Sequence, residues 1–152
     1  KKVLSVTPAT GAVDAALLIA RIGIALLMLS HGLPKMFMLF SGEPVQFIPV
    51  FGMSAEVSLA LTVFAEVACS ILLLAGLGTR LAVVPLIITM LVAAFVVHAA
   101  DGFAKQEPSL QYLLVYMVLL LAGSGKYSAD YLLQRKSAKV LHVKSNDAAL
   151  TA

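Results

Sequence analysis

Tryptophan is absent from this chain of 152 residues, cysteine occurs once, and charged residues make up only 12% of it. A soluble domain carries about 25% charged and about 45–50% apolar residues, whereas 61% of this chain is hydrophobic. So few polar residues cannot coat a core of this size. The composition excludes a soluble enzyme, a disordered tail and a secreted disulfide scaffold, and it predicts an integral membrane protein.

The single thiol, Cys69, cannot form an internal disulfide, which excludes CxxC redox relays and disulfide frameworks. We interpret it as an inert, buried side chain in the middle of a helix. Without tryptophan, the aromatic residues that favour a membrane interface must be phenylalanines and the four tyrosines, Tyr112, Tyr116, Tyr127 and Tyr131.

Four stretches of the chain are long and apolar enough to cross a bilayer, which takes about 20 helical residues. They predict an all-α membrane protein, a four-transmembrane-helix bundle that forms one domain over residues 1–152. The predicted spans cover about 15–36, 54–77, 80–100 and 110–125, and a basic C-terminal tail follows at 126–152.

The segments between the predicted spans differ in character. The first span is expected to close at His31-Gly32-Leu33-Pro34-Lys35. Residues 37–53 are apolar but broken by two glycines and two prolines, which predicts an irregular segment lying against the bundle, because irregular backbone cannot face lipid unsatisfied. Gly76–Arg80 predicts a tight turn between antiparallel neighbours, and Asp101–Pro108 predicts a short polar loop.

The distribution of cations predicts the orientation. Four spans put both termini on one side, and that side holds eight lysines and arginines against two, Lys35 and Lys105, on the other. Cytoplasmic loops carry such an excess, so both termini are expected to be cytoplasmic in a bacterial inner membrane. The opening residues 1–14 lead into an apolar run without a small-residue cleavage site, so the first span is expected to anchor the chain. The eight cations are Lys1, Lys2, Arg80, Lys126, Arg135, Lys136, Lys139 and Lys144.

Two ionisable residues, Arg21 and Glu66, fall deep within predicted spans. An isolated arginine at such a depth costs about 2.5–3.5 kcal/mol to insert, so it is expected to find a partner. The two positions differ in depth by only about 5 Å at 1.5 Å per residue, which predicts an intramembrane Arg21–Glu66 ion pair. A structural clamp that fixes helix register is the favoured interpretation, with a proton or substrate role as the alternative.

Helical periodicity extends both positions into polar stripes. Arg21, His31 and Lys35 share one sector of the first helix, and Thr62, Cys69 and Ser70 lie near Glu66 on the second. Together with residues at the outer ends of the second and third helices, they predict a polar pocket open to one side. The candidate ligand-binding residues are Arg21, His31, Lys35, Glu56, Glu66, His98 and Asp101.

Each candidate also has a structural explanation. His31 and Lys35 fit a helix end, and His98 with Asp101 fits an interfacial terminus. Two histidines and a carboxylate would suit a metal, but no HxxxH or HxxE spacing exists, so we expect no metal site. Imidazoles also suit proton exchange with a quinone head group.

The ordered combination of motifs, over about Asp14 to Leu133, resembles the DoxX family of four-helix bacterial membrane proteins. The resemblance rests on Arg21-x-x-x-Ala25, Ser30-His31-Gly32-x-x-Lys35, Glu66, Leu73-x-x-Gly76-x-Gly78-Thr79-Arg80, His98 and Gly123-x-Gly125-Lys126-Tyr127-Ser128-x-Asp130.

The resemblance implies a four-helix bundle in a functionally mixed family. Some relatives are similar to the membrane subunit of thiosulfate:quinone oxidoreductase, and others are accessory proteins of membrane complexes for redox defence or protein maturation. We therefore expect a subunit associated with quinone-linked electron transfer in a larger membrane complex, not a complete enzyme. Quinone is the expected cofactor, with no covalently bound group, and the expected partners are other membrane subunits and the bilayer, not nucleic acid. The alternatives are a non-catalytic structural or accessory subunit, and a small-molecule or lipid-handling membrane protein.

Overall fold

A computed structural model describes residues 10–137, and this part of the chain is helical, with no strand. Four long helical segments follow one another and pack together. We name them α1 (Thr10–Phe40), α2 (Ala55–Ala75), α3 (Thr79–Val97) and α4 (Phe103–Ala122), and the described part of a further helix, α5, covers residues 129–137.

Three of these helices have the length and apolar composition to cross a membrane. Within α1, α2 and α3 the mean hydropathy reaches 2.2, 2.3 and 2.5. Helix α4 has 20 residues, but Lys105, Gln106 and Glu107 make its first turns polar. The structure thus shows three helices of membrane-spanning character beside a fourth that packs on them.

Two predicted boundaries were wrong. Helix α1 does not close at 31–35 but continues through Pro34 to Phe40, because a proline removes one backbone donor without ending a helix whose neighbours hold it in place. Helix α4 begins at Phe103, so most of the predicted polar loop at 101–108 is helical. The predicted tail falls on α5 and, from residue 138, outside the described residues, as do Lys1, Lys2, Lys139 and Lys144.

The connection from α1 to α2 is irregular, as predicted. Residues 44–50 have no regular secondary structure, and Val45 and Phe47 pack against a small core cluster formed by Leu59, Val63 and Val67. The backbone N–H of Val50 donates a hydrogen bond to Ser58 Oγ at 3.2 Å. The segment therefore lies against α2.

A glycine in the left-handed region ends α2. Gly76 has φ +66°, and the N–H groups of Leu77 and Gly76 donate to the carbonyls of Leu72 and Leu73, each at 3.0 Å. This pair of bonds satisfies the last carbonyls of the helix and reverses the chain. The predicted tight turn between α2 and α3 is confirmed.

Two π-helical segments interrupt the regular helices, Phe64–Cys69 in α2 and Ala93–Val97 at the end of α3. A π-helical insertion is rare and frequently marks a functional site. The main core lies beside the first of them and includes Met28, Cys69 and Tyr116, each no more than 2% exposed. Cys69 is buried and unpaired among the described residues, as predicted.

Candidate functional site

The predicted Arg21–Glu66 pair is wrong. The guanidinium of Arg21 donates instead to two backbone carbonyls, from Nη1 to Ser124 O at 2.8 Å and from Nη2 to Tyr127 O at 2.7 Å. Arg21 is only 2% exposed. This buried cation is therefore bound by the segment that follows α4, and the Glu66 carboxylate on α2 pairs with a different residue.

The segment from 123 to 130 is built to cover this end of the bundle. Asp130 accepts hydrogen bonds from the N–H groups of Gly78 at 2.8 Å and Thr79 at 3.2 Å, and its own N–H donates to Gly76 O at 3.0 Å. Asp14 accepts from the Lys126 N–H at 3.0 Å. Arg21 thus has a structural role, as the favoured prediction held, but with backbone partners in place of Glu66. We call this closure, formed by Arg21 and residues 123–130, the Arg21 end.

Glu66 binds Lys35. The ammonium Nζ donates to both carboxylate oxygens, at 2.6 Å and 2.8 Å, and the Glu66 side chain is 3% exposed against 30% for Lys35. Lys35 was predicted as a candidate ligand-binding residue, with a helix-end cation as the structural alternative. Because α1 continues beyond it to Phe40, Lys35 lies inside the helix and reaches across to α2.

A close approach of the two helices makes this contact. A Cβ atom on Gly32 would lie 2.9 Å from both Glu66 Cβ and Val67 Cγ2. Only a residue without a side chain lets α1 approach α2 so closely. Gly32, one turn before Lys35, therefore holds the ammonium over the carboxylate.

The ion pair borders a pocket of about 450 Å³. We call its surroundings the pocket end, where α1 and α3 end and α2 and α4 begin. Its lining is mainly apolar and comes from α1, α2, α3 and the segment before α2, and both π-helical segments contribute to it. The lining residues are Lys35, Phe47, Ile48, Val50, Phe51, Met53, Ser58, Leu61, Thr62, Glu66, Ile88, Thr89, Val92, Ala93, Val97 and His98.

His98 adds an imidazole to the pocket. Its Nδ1 lies 2.8 Å from Asp101 Oδ2, and Lys105 Nζ lies 3.6 Å from the same oxygen. The hydrogen bond with His98, followed by the positive charge of Lys105, lowers the pKa of Asp101. Asp101 is therefore an anion that orients the ring from outside the pocket.

Two other predicted candidates lie apart from this pocket. His31 is exposed and packs edge-on against Tyr112, with ring centroids 5.8 Å apart. Glu56 is exposed in the first turn of α2. Of the predicted set, the structure brings Lys35, Glu66 and His98 to one cavity with Asp101 beside it, and separates Arg21, His31 and Glu56 from it.

Sequence periodicity found only part of the pocket. Thr62 lines it together with Glu66, as the predicted stripe implied, whereas Cys69 and Ser70 are buried in the bundle. The contribution of Phe47 to Met53 was missed, because a coil segment has no periodicity that assigns its side chains to a surface. Within residues 10–137 no group of three metal-ligating side chains comes together.

An apolar helical bundle that buries ion-paired charges and encloses an apolar pocket is the architecture of an integral membrane protein. The DoxX family profile matches residues 16–99, which is more than half of the chain. The chain therefore belongs to the DoxX family, as the motifs predicted. Neither the curated proteins nor the solved structures gave a match to it.

The matched region contains Arg21, Lys35, Glu66 and His98. It ends before α4, so the resemblance of residues 123–130 to the family stays a prediction. The candidate site thus lies within the family region, whereas the carbonyls that hold Arg21 lie beyond it.

Proposed function

We propose that this DoxX protein is a membrane subunit that binds a quinone-like amphiphile in the pocket and serves quinone-linked electron transfer within a larger complex. The observation that carries the proposal is a mainly apolar cavity of about 450 Å³ bordered by one buried ion pair and one imidazole. Ligand pockets have this composition: apolar walls with a few convergent polar groups that orient the ligand. No nucleic-acid role is part of the proposal.

The polar groups of the pocket suit the head group of a quinone. An ammonium has three N–H donors, and two of those of Lys35 bind Glu66, which leaves one for a ligand oxygen. His98 supplies an imidazole, whose ring nitrogens can donate or accept a hydrogen bond. The apolar side chains of α2, α3 and residues 47–53 suit the ring and its isoprenoid tail.

We propose that all four helices cross a bacterial inner membrane with both termini cytoplasmic. Helix α4 supports this because it packs along α3, and because Leu119 and Tyr116 of its apolar second half are fully buried. The excess of Lys and Arg near the Arg21 end supports the orientation. The pocket then opens toward the outer leaflet, through which a lipid-soluble ligand has access.

Ligand analysis of the purified protein tests this proposal. The protein would be extracted into lipid nanodiscs from native membrane, and its bound lipids and quinones quantified by mass spectrometry. We expect quinone to be enriched over the membrane average in the wild type. The variants Lys35→Met and His98→Ala are expected to lose that enrichment, whereas Lys126→Ala, a cation at the Arg21 end, is expected to keep it.

The same preparation separates the alternatives. A stoichiometric protein partner with no enriched ligand would contradict the proposal and indicate a structural or accessory subunit. Enrichment of a phospholipid in place of quinone would also contradict it and indicate a lipid-handling protein.

A further inference from the structure

The imidazole of His98 is oriented by one hydrogen bond, and its backbone is held by another. Nδ1 bonds to Asp101 Oδ2 at 2.8 Å, and Gln106 Nε2 donates to the backbone carbonyl of His98 at 3.0 Å. Because an ionised carboxylate only accepts hydrogen bonds, Nδ1 must carry a proton in this contact. Nε2 of the neutral ring is then an acceptor, and no described residue hydrogen-bonds to it.

Lys35, which lines the same pocket, is a hydrogen-bond donor, whereas Nε2 of His98 is an acceptor. An ammonium donates and never accepts, and one of its three N–H groups is left after the two bonds to Glu66. Glu66, held in the same ion pair, retains lone pairs that accept. The pocket therefore offers a donor beside an acceptor at the ion pair, and an acceptor at His98.

We infer that this arrangement selects the reduced, dihydroxy form of the head group, the quinol, over the quinone, and that Asp101 is the positioning residue that sets this preference. One quinol hydroxyl donates to His98 Nε2, and the other donates to Glu66 while its oxygen accepts from Lys35. A quinone presents only carbonyl acceptors, so its oxygen would face the lone pair of Nε2. This inference rests on the proposed function.

The preference requires the neutral ring. A proton on Nε2 would convert it from an acceptor into a donor, which favours a carbonyl. The charged groups around His98 are Asp101 beside it, Lys105 on α4, and the Lys35–Glu66 pair across the pocket. The pKa of Asp101 is lowered by its hydrogen bond with His98 and by the charge of Lys105, so this group stays an anion that accepts from Nδ1.

Binding of a short-chain benzoquinone and of its quinol to the full chain in nanodiscs tests the inference. Titrations under anaerobic conditions at several alkaline pH values would give the two dissociation constants and their ratio. One neutral hydrogen bond gained or lost corresponds to about tenfold in affinity. We expect the quinol to bind about tenfold more tightly than the quinone at each of them.

Two substitutions at Asp101 isolate its role. Asp101→Asn keeps the shape, but its amide can donate to Nδ1 and move the ring proton to Nε2, so the ratio at alkaline pH is expected to fall toward one. Asp101→Ala, which frees the ring, is expected to act in the same direction. Glu107→Gln is the matched control, because Glu107 bonds to Gln111 and not to His98.

The outcomes are distinguishable from those of the proposed function. If both forms bind with equal affinity at every pH, or if neither Asp101 variant changes the ratio, the inference is overturned while quinone binding stands. If neither form binds the wild type, both the inference and the proposed function are overturned.

Discussion

The two ends of the bundle use buried charge in different ways. At the Arg21 end, the cation bonds to two backbone carbonyls, and a Cβ atom on Gly76 would already lie 2.7 Å from both Arg21 Cζ and Ser128 Cβ. At the pocket end, the Lys35–Glu66 pair borders a cavity of about 450 Å³. A buried charge enclosed by backbone carbonyls holds a fold together, whereas a charge that lines a cavity is available to a ligand.

The largest effect is expected from Arg21→Met, which removes the cation but keeps most of its volume. Two buried carbonyls then lose charge-assisted hydrogen bonds, and such losses cost about 3–5 kcal/mol in total. We expect a large fall in the free energy of unfolding in detergent, measured by denaturant titration. The pocket end lies outside this cluster, so quinone affinity of the protein that remains folded is expected to persist.

A matched cation at the same end provides the control. Lys126 pairs with Asp14 at 3.4 Å, but its side chain is 55% exposed, and exposed pairs contribute about 0–1 kcal/mol. Lys126→Ala is therefore expected to change stability little. Equal losses of stability for the two variants would contradict the structural role assigned to the buried guanidinium.

At the pocket end, removal of Lys35 and removal of Glu66 are expected to lower the free energy of unfolding by different amounts. Lys35→Met leaves the Glu66 charge nearly buried and unpaired, which costs about 3 kcal/mol or more. Glu66→Gln leaves an ammonium that is 30% exposed and can turn toward the pocket, so its cost is expected to be smaller. The same unfolding titration measures both.

The double variant Lys35→Met/Glu66→Gln sharpens this prediction. Removing both charges leaves no uncompensated ion, so its stability is expected to recover toward the wild type, while ligand binding stays lost. A double variant as unstable as the sum of the single ones would show that the pair is not coupled.

A smaller effect is expected from Gly32→Ala. The added methyl group meets Glu66 Cβ and Val67 Cγ2 at 2.9 Å, and overpacking of this kind costs about 1–3 kcal/mol. Because α1 must move away from α2, the Lys35–Glu66 contact is expected to lengthen and quinone affinity to fall. Gly23→Ala, where a Cβ atom meets nothing within 4 Å, is the control.

Composition and periodicity predicted the helical class and the burial of Arg21 and Glu66, and the resemblance of the ordered motifs predicted the family. They did not predict the partners of these two side chains. A comparison of depths along two helices considers only side chains on those helices, and not the backbone carbonyls of a distant segment. Ser124 O and Tyr127 O lie more than a hundred positions from Arg21 in sequence, in a glycine-containing segment whose carbonyl directions no residue pattern specifies.

The residues of the pocket were also predicted only in part from the sequence. His98 and Asp101 were paired correctly, since one helical turn separates them. His31 was included because it shares a sector of the first helix with Lys35, and Glu56 because it lies at the outer start of the second helix. Rotation about the helix axis, together with the contact of His31 with Tyr112, takes His31 away from the cavity. The sequence predicts how deep a residue lies along its helix, whereas the direction of its side chain depends on how the helices contact each other.

The hydrogen bonds of Asp130 have a consequence for the order of assembly. This residue joins Gly76, Gly78 and Thr79 to the chain beyond α4, and the carbonyl of Tyr127 completes the partners of Arg21. During synthesis, the first three helices are made long before these groups leave the ribosome. Until then the guanidinium lacks its final acceptors, so the Arg21 end is completed only after the segment that follows α4 has been made.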